Sequence, residues 1–246
     1  MKIIIKESYE DISLYAAQVV IDTIKENPNA VICFPTGSTP IRMYELLVEA
    51  CQNQEVDFSQ VQVRSVDEYV GLPTEHCQSY AYFLWDNLLS KVNINPDSVI
   101  LLDGATENPI QACLDYQNLI NKYGGIDLYI DGIGANGHIG FNEPDDALAL
   151  SYHVQKISEN TRVANSRFFN DISEVPTQAL SIGVSDILKA KKSLFLSNGL
   201  HKAEAWKRFT ESDLVTPDFP LSFLHLAENA RAVLDKESAF YLNDVS

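Results

Sequence analysis

Asn136, His138 and Glu143 stand close together in residues 126–144, IDLYIDGIGANGHIGFNEP. An imidazole with a carboxylate five positions on and an amide two positions before suits proton transfer. A carboxylate on one ring nitrogen fixes the tautomer and raises basicity, which leaves the other nitrogen to move protons. A lone histidine is more often a hydrogen-bonding residue of a core. Here the flanking glycines let the backbone approach a ligand, and the nearby Glu143 and Asn136 favour the acid–base reading. Gly132, Gly134 and Gly137 spell GxGxxG, but a dinucleotide site needs a helix directly afterwards. Gly140 and Pro144 make that helix poor, so no nicotinamide cofactor is expected. No second His or Cys lies near His138 and Glu143, so no metal is expected either.

Two further stretches could act with this loop. VDEYVGLP (66–73) puts Asp67 and Glu68 where a strand ends. They are exposed turn residues, or, if Asp67 faces a pocket, that carboxylate is a candidate general base. PTGSTP (35–40) follows an apolar strand and opens a helix. Gly37, Ser38 and Thr39 would there offer backbone and hydroxyl donors to an anion at the helix N-terminus. The alternative is an ordinary N-cap. The net charge of −16 means that a phosphorylated ligand needs local cations. Arg162 and Arg167 in TRVANSRFF (161–169) and Lys202 in LHKAEAWKR (200–208) could supply them. Lys202 at a helix start runs against the helix dipole, which hints at another duty. Taken singly, each is more simply a surface charge.

Strands at 30–34, 61–66, 98–102, 126–131, 179–183, 193–197 and 230–234 alternate with helical patterns. The helices are expected at 11–25, 40–51, 79–91, 108–123, 185–191, 201–209 and 221–226. Residues 142–158 look least regular, and the polar stretch 158–176 suits a lid. Such alternation predicts an α/β fold. The expected form is one domain over 1–246, an open, mostly parallel Rossmann-like sheet with helices on both faces and a lid segment. Active sites of such sheets gather at the carboxyl ends of the strands.

Composition narrows the function. Hydrophobic residues make up 46% of 246, so the chain buries a substantial core. Its acidity disfavours nucleic acid and anionic membranes as partners. No apolar run reaches membrane-spanning length, and the opening MKIIIKE is too short for a targeting segment. Cys33, Cys51, Cys77 and Cys113 form no CxxC pair and read as reduced, buried thiols of a cytoplasmic protein. Oligomeric state is open, a homo-oligomer included.

PTGSTP, DEYVGLP, GIGANGHIGFNEP and TRVANSRFF, in this order, resemble the glucosamine-6-phosphate deaminases. The resemblance covers most of the chain and weakens after about Ser212. It implies isomerisation of an amino-sugar phosphate with deamination, giving fructose 6-phosphate and ammonia with no metal or redox cofactor. It further implies that Asp67 moves the proton from C2 to C1, that His138 assists ring opening, and that Glu143 and Asn136 orient the imidazole. Gly37, Ser38, Thr39, Arg167 and Lys202 would hold the phosphate. Enteric relatives carry Asp at the position of Asn136, so His138 has one charged partner fewer here. Arg42 stands beside the phosphate helix where many relatives have a small or neutral residue. The basic residues of the enteric activator site fall near 146–156, where this chain has His153 and Gln155; activation by N-acetylglucosamine 6-phosphate is not expected. A galactosamine-6-phosphate isomerase/deaminase would use the same groups. A 6-phosphogluconolactonase shares the GxGxxGH loop but typically lacks the NEP and DEYVG stretches. A sugar-phosphate sensor would carry an added helix-turn-helix and a basic surface, and neither extra length nor basic charge is seen here.

Overall fold

Strand β1 (Lys2–Lys6) opens the chain and leads through Ser8 into α1 (Tyr9–Glu26) in a computed structural model that describes residues 1–242. Ser8 caps α1 by accepting the Asp11 amide, and Glu10 and Asp11 occupy the first turn, where the helix dipole favours acid. The chain continues through β2 (Val31–Phe34), α2 (Ile41–Gln52), β3 (Gln62–Ser65), β4 (Asp67–Tyr69), α3 (Tyr80–Asn87), β5 (Val99–Ile100) and α4 (Pro109–Lys122). Then follow β6 (Leu128–Gly132), β7 (His153–Lys156), α5 (Glu159–Asn165), β8 (Gln178–Ser181), α6 (Val184–Lys189), β9 (Lys192–Ser197), α7 (Ala203–Thr210) and β10 (Ala230–Asp235).

Seven strands form one parallel sheet in the order β1-β10-β9-β6-β2-β3-β5. Alternate residues of each central strand feed two cores on opposite faces. Ile32, Phe34, Leu128, Ile130, Leu194 and Leu196 pack against α1, α2 and α3 on one side. Cys33, Tyr129, Phe195 and Leu234 join α4 and α7 on the other. This two-faced burial is why the central strands read as continuous apolar runs. The fold is therefore the expected Rossmann-like α/β sheet with helices on both faces.

Five features differ from the sequence reading. The opening IIIK run, considered only as a targeting segment, is an edge strand paired with β10. β8 does not join the parallel sheet; with β4 and β7 it makes a small antiparallel sheet in the order β4-β8-β7. β7 lies in the stretch expected to be irregular. Its HVQK sequence is polar and half-exposed, so it carries no apolar signal of a strand. Residues 221–226, expected as α-helix, lie in a 3-10 helix that spans Pro220–Leu226. The cysteines are free thiols, but only Cys33 and Cys113 are buried; Cys51 is half-buried and Cys77 is exposed. No helix among the described residues is long and apolar enough to cross a membrane.

The topology fixes where a site can lie. From β2 the chain winds outward through β3 to β5, and from β6 it winds the other way through β9 to β10. β2 and β6 are neighbours, so the winding reverses between them, and the crevice beyond their carboxyl ends is where such sheets bind ligands. PTGSTP follows β2 and the His138 loop follows β6. Asp67 stands where the chain leaves β3 and enters the small sheet, opposite Ser181 of β8.

Candidate active site

A cavity of about 730 Å³ opens at this crevice, and Thr39, Asp67, Asp131, His138, Arg167 and Lys202 all line it. Gly37, Ser38 and Asn136 line it too. Glu143 lies just behind, buried against the His138 loop. Of the catalytic and phosphate-binding candidates singled out from the sequence, all but Glu68 and Arg162 therefore gather in and around one cavity.

At one end stand the phosphate candidates. The N-cap of α2 is Pro40, and no side chain caps the helix. Thr39 Oγ1 instead donates to Asn198 Oδ1 at 2.7 Å, so the ordinary N-cap is not what PTGSTP builds. The first turn of α2 keeps N–H groups for a ligand, apart from that of Arg42, which donates to Tyr9 Oη. Gly37 turns with φ of 90°, a backbone conformation other residues adopt only with strain. Arg167 has no carboxylate partner among the described residues, and neither has Lys202, whose ammonium donates to the Ile133 carbonyl at 2.6 Å. Burial and the Arg167 charge push Lys202 down to about 8, partly offset by Asp131. Two unpaired cations side by side in a protein of net charge −16 are costly unless an anion joins them.

Arg162 does not belong to this end. Its guanidinium pairs with Glu159 at 2.9 Å and donates to the carbonyls of Ile172 and Val175, which braces the 158–176 segment. Arg42 turns away from the cavity toward Glu10, Glu45 and Glu49, at 2.8, 3.0 and 3.4 Å. Exposed ion pairs contribute little. Arg42→Ala is expected to leave kcat and KM for the substrate proposed below unchanged and to cost under about 1 kcal/mol in chemical denaturation. A KM that rises several-fold would restore Arg42 to the site.

The other end holds the acid–base groups. Asp67 is 8% exposed, and no hydrogen bond from the described residues reaches its carboxyl. Burial, with added repulsion from Asp131 and Glu68, raises its pKa well above the ordinary carboxylate range. Glu68 has a different task. Its carboxylate accepts the amides of Tyr69, Tyr80 and Ala81 and so ties β4 to the start of α3, while burial pushes it up to about 7 against those bonds. Tyr69 packs at tilted angles on Tyr80 and Phe141 and edge-on against Phe169, which together form an apolar wall.

His138 Nδ1 lies 3.7 Å from Glu143 Oε2 and has no other partner. Glu143 also accepts Asn136 Nδ2 at 3.1 Å and the hydroxyl of Thr161. Asn136 closes the loop on itself by accepting the His138 amide. Burial lowers the His138 pKa; Glu143 opposes this and Lys202 adds to it. A Cβ at Gly134 would stand 2.2 Å from the imidazole, so only glycine lets the ring lie over that turn. The 158–176 segment folds as α5 with short 3-10 turns. It lines the cavity through Asn160, Thr161, Asn165 and Arg167, and Asn165 Nδ2 donates to Tyr69 Oη.

Sequence reasoning missed Asp131, Thr161, Asn198 and His201, which also line the cavity. Asp131 carried a usable signal, a charged residue ending an otherwise apolar strand. Thr161 lay inside a motif noted for its arginines. Nothing in the sequence distinguishes Asn198.

Fold and cavity together define a doubly wound α/β protein with buried titratable groups at one end of a pocket and two cations beside a helix N-terminus at the other. The chain belongs to the family of glucosamine-6-phosphate isomerases/6-phosphogluconolactonase, whose model matches residues 6–233. It is 43% identical over 244 residues to a glucosamine-6-phosphate deaminase of a Thermoanaerobacter species, which covers 99% of this chain and 96% of that one. A solved monomeric glucosamine-6-phosphate deaminase superposes with a TM-score of 0.94 at 36% identity, covering 98% of this chain and 99% of that one. The 6-phosphogluconolactonase from Trypanosoma cruzi, at 19% identity and a TM-score of 0.77 over 99% of this chain and 97% of that one, shares the fold.

Proposed function

We propose that the chain converts glucosamine 6-phosphate and water to fructose 6-phosphate and ammonia. The observation that carries this reading is one cavity with a buried, unpaired Asp67 and a carboxylate-backed His138 at one end and two unpaired cations at the other. The likeness to deaminases over nearly the full length of both chains supports it.

In this scheme the N-terminus of α2, with Gly37, Ser38 and Thr39, holds the 6-phosphate together with Arg167 and Lys202. Arg167 supplies a forked donor and Lys202 a point charge. His138, with Nδ1 toward Glu143, uses Nε2 to move a proton between the ring oxygen and the C1 oxygen as the sugar opens. Its lowered pKa keeps the imidazole neutral and able to accept that proton. Asp67 then takes the proton from C2 of the ammonium form while a proton from the nitrogen passes to the C1 oxygen, and the Asp67 carboxyl returns its proton to C1. The C2 centre becomes an iminium, water adds to it, and ammonia leaves. Asp67 must be ionised to begin, and its burial makes the carboxylate a stronger base than one in water. Asn136 and Thr161 hold Glu143, and residues 158–176 serve as a lid that limits water.

All these groups come from one chain, so the site does not require a homo-oligomer. We place the activity in the cytoplasm, in amino-sugar breakdown, with a small sugar phosphate as ligand. Glucosamine 6-phosphate is preferred over its C4 epimer because the full-length relatives carry that name. One assay decides: ammonia and ketose phosphate measured from glucosamine 6-phosphate and from galactosamine 6-phosphate. Product only from the second moves the chain to the epimer, and binding without ammonia from either makes it a sensor.

A further inference from the structure

Asp131 closes β6 with a buried carboxyl that lines the cavity. It accepts three hydrogen bonds, from Tyr129 Oη, from the Gly132 amide at 2.7 Å and from the Gly140 amide at 3.0 Å. A carboxylate has about four acceptor positions, so about one is left for the cavity. Its neighbours fix where along the cavity it stands. Gly140, which donates to Asp131, borders the base: a Cβ built there would lie 3.7 Å from Asp67 Oδ2. Ile133, two residues beyond Asp131, accepts the Lys202 ammonium. Asp131 thus sits between the proton-transfer end and the cationic end. The electrostatics follow that order. Asp131 helps raise Asp67, and burial raises Asp131 itself to about 6 against its hydrogen bonds and the Lys202 charge.

We infer that Asp131 accepts a hydrogen bond from a central hydroxyl, at C3 or C4, of the open-chain amino-sugar phosphate, and so helps to select the sugar. The inference rests on the deaminase reading for the direction of the chain: C1 and C2 lie at Asp67 and the phosphate at Arg167 and Lys202. An extended hexose between those anchors has C3 and C4 at its middle. A purely structural Asp131 would tie the His138 loop to β6 through Gly140 and need no ligand. Such an aspartate would support every ligand equally, whereas a contact to one hydroxyl would not.

The test couples that hydroxyl to the side chain. Affinity, by calorimetry, and turnover are measured for glucosamine 6-phosphate, its 3-deoxy and 4-deoxy analogues, and inorganic phosphate, with the parent protein and with Asp131→Asn. In the parent, one deoxy analogue is expected to lose about ten- to a hundredfold, the range for a hydrogen bond to a charged group. In Asp131→Asn the same deletion should cost about threefold or less, because the charged acceptor is gone. Inorganic phosphate has no sugar hydroxyl, so any change in its affinity reports only the loss of the Asp131 charge near Lys202, and the deoxy losses are read relative to it. Equal losses on deleting the hydroxyl in parent and variant would overturn the contact, whatever common change inorganic phosphate also shows. If the variant does not fold, the parent alone decides against it when both deoxy analogues bind like the full sugar. Coupling in affinity without ammonia release would support the contact and end the deaminase reading. Ammonia release without coupling would do the reverse.

Discussion

Replacing Asp67 by Asn is expected to lower kcat by about a thousandfold while leaving the affinity for sugar phosphate within a few-fold, the scale at which a positioned general base contributes. The amide keeps the size of the carboxylate and cannot take the C2 proton. Arg167, Lys202 and the start of α2 are untouched, so binding energy directed at the phosphate stays. Ammonia release and calorimetric binding on the same preparation check both halves; turnover near that of the parent would remove Asp67 from the mechanism. Stability should move the other way. Asp67 has a folded-state pKa raised first by burial, then by Asp131 and Glu68. As pH rises from the ordinary carboxylate range toward that raised value, the unfolded chain gives up its proton before the folded one, so stability is lost. Asn removes that loss. The variant should be at least as stable as the parent at neutral pH, with the gain disappearing in acid where both forms of Asp67 are protonated. For the same reason the acid limb of kcat/KM in the parent should lie above the usual carboxylate range.

Arg167→Ala should raise KM by about ten- to a hundredfold and change kcat little, as expected for a charged hydrogen bond made equally in ground and transition states. The guanidinium has no carboxylate partner among the described residues, so its removal leaves no buried acid exposed and folding should survive. The loss is partly self-limiting. Arg167 depresses Lys202, so Lys202 should hold its proton to higher pH in the variant. Steady-state kinetics across pH would register this as a KM penalty that is largest in acid and narrows above pH 8, where the parent begins to lose the Lys202 charge. A fall confined to kcat would argue that Arg167 acts on the chemistry.

The large sheet could be read from residues because its strands are buried on both faces and spell apolar runs such as VICF and LYI. Of the small sheet only β8 was legible, and as a strand of the large one. DEY and HVQK owe their pairing to partners far along the chain, and tertiary context decides such short polar segments. The site followed a similar division. Gly37, His138 and Lys202 announce themselves by violating local habit: a glycine turn into a helix, a histidine among glycines, a cation at a helix start. Arg42 and Arg162 look equally available in the sequence, and only the fold reveals that acids and carbonyls already occupy them. Thr161 and Asn198 act through contacts to Glu143 and Thr39 that no spacing rule encodes.

The short helix α5 has Thr161 near its start, hydrogen-bonded to Glu143, and is followed directly by the turn that carries Arg167. On the proposed reading, this one lever joins the hand that grips the anion to the carboxylate behind the imidazole, and filling the phosphate cradle would be geared to the alignment of His138 rather than independent of it.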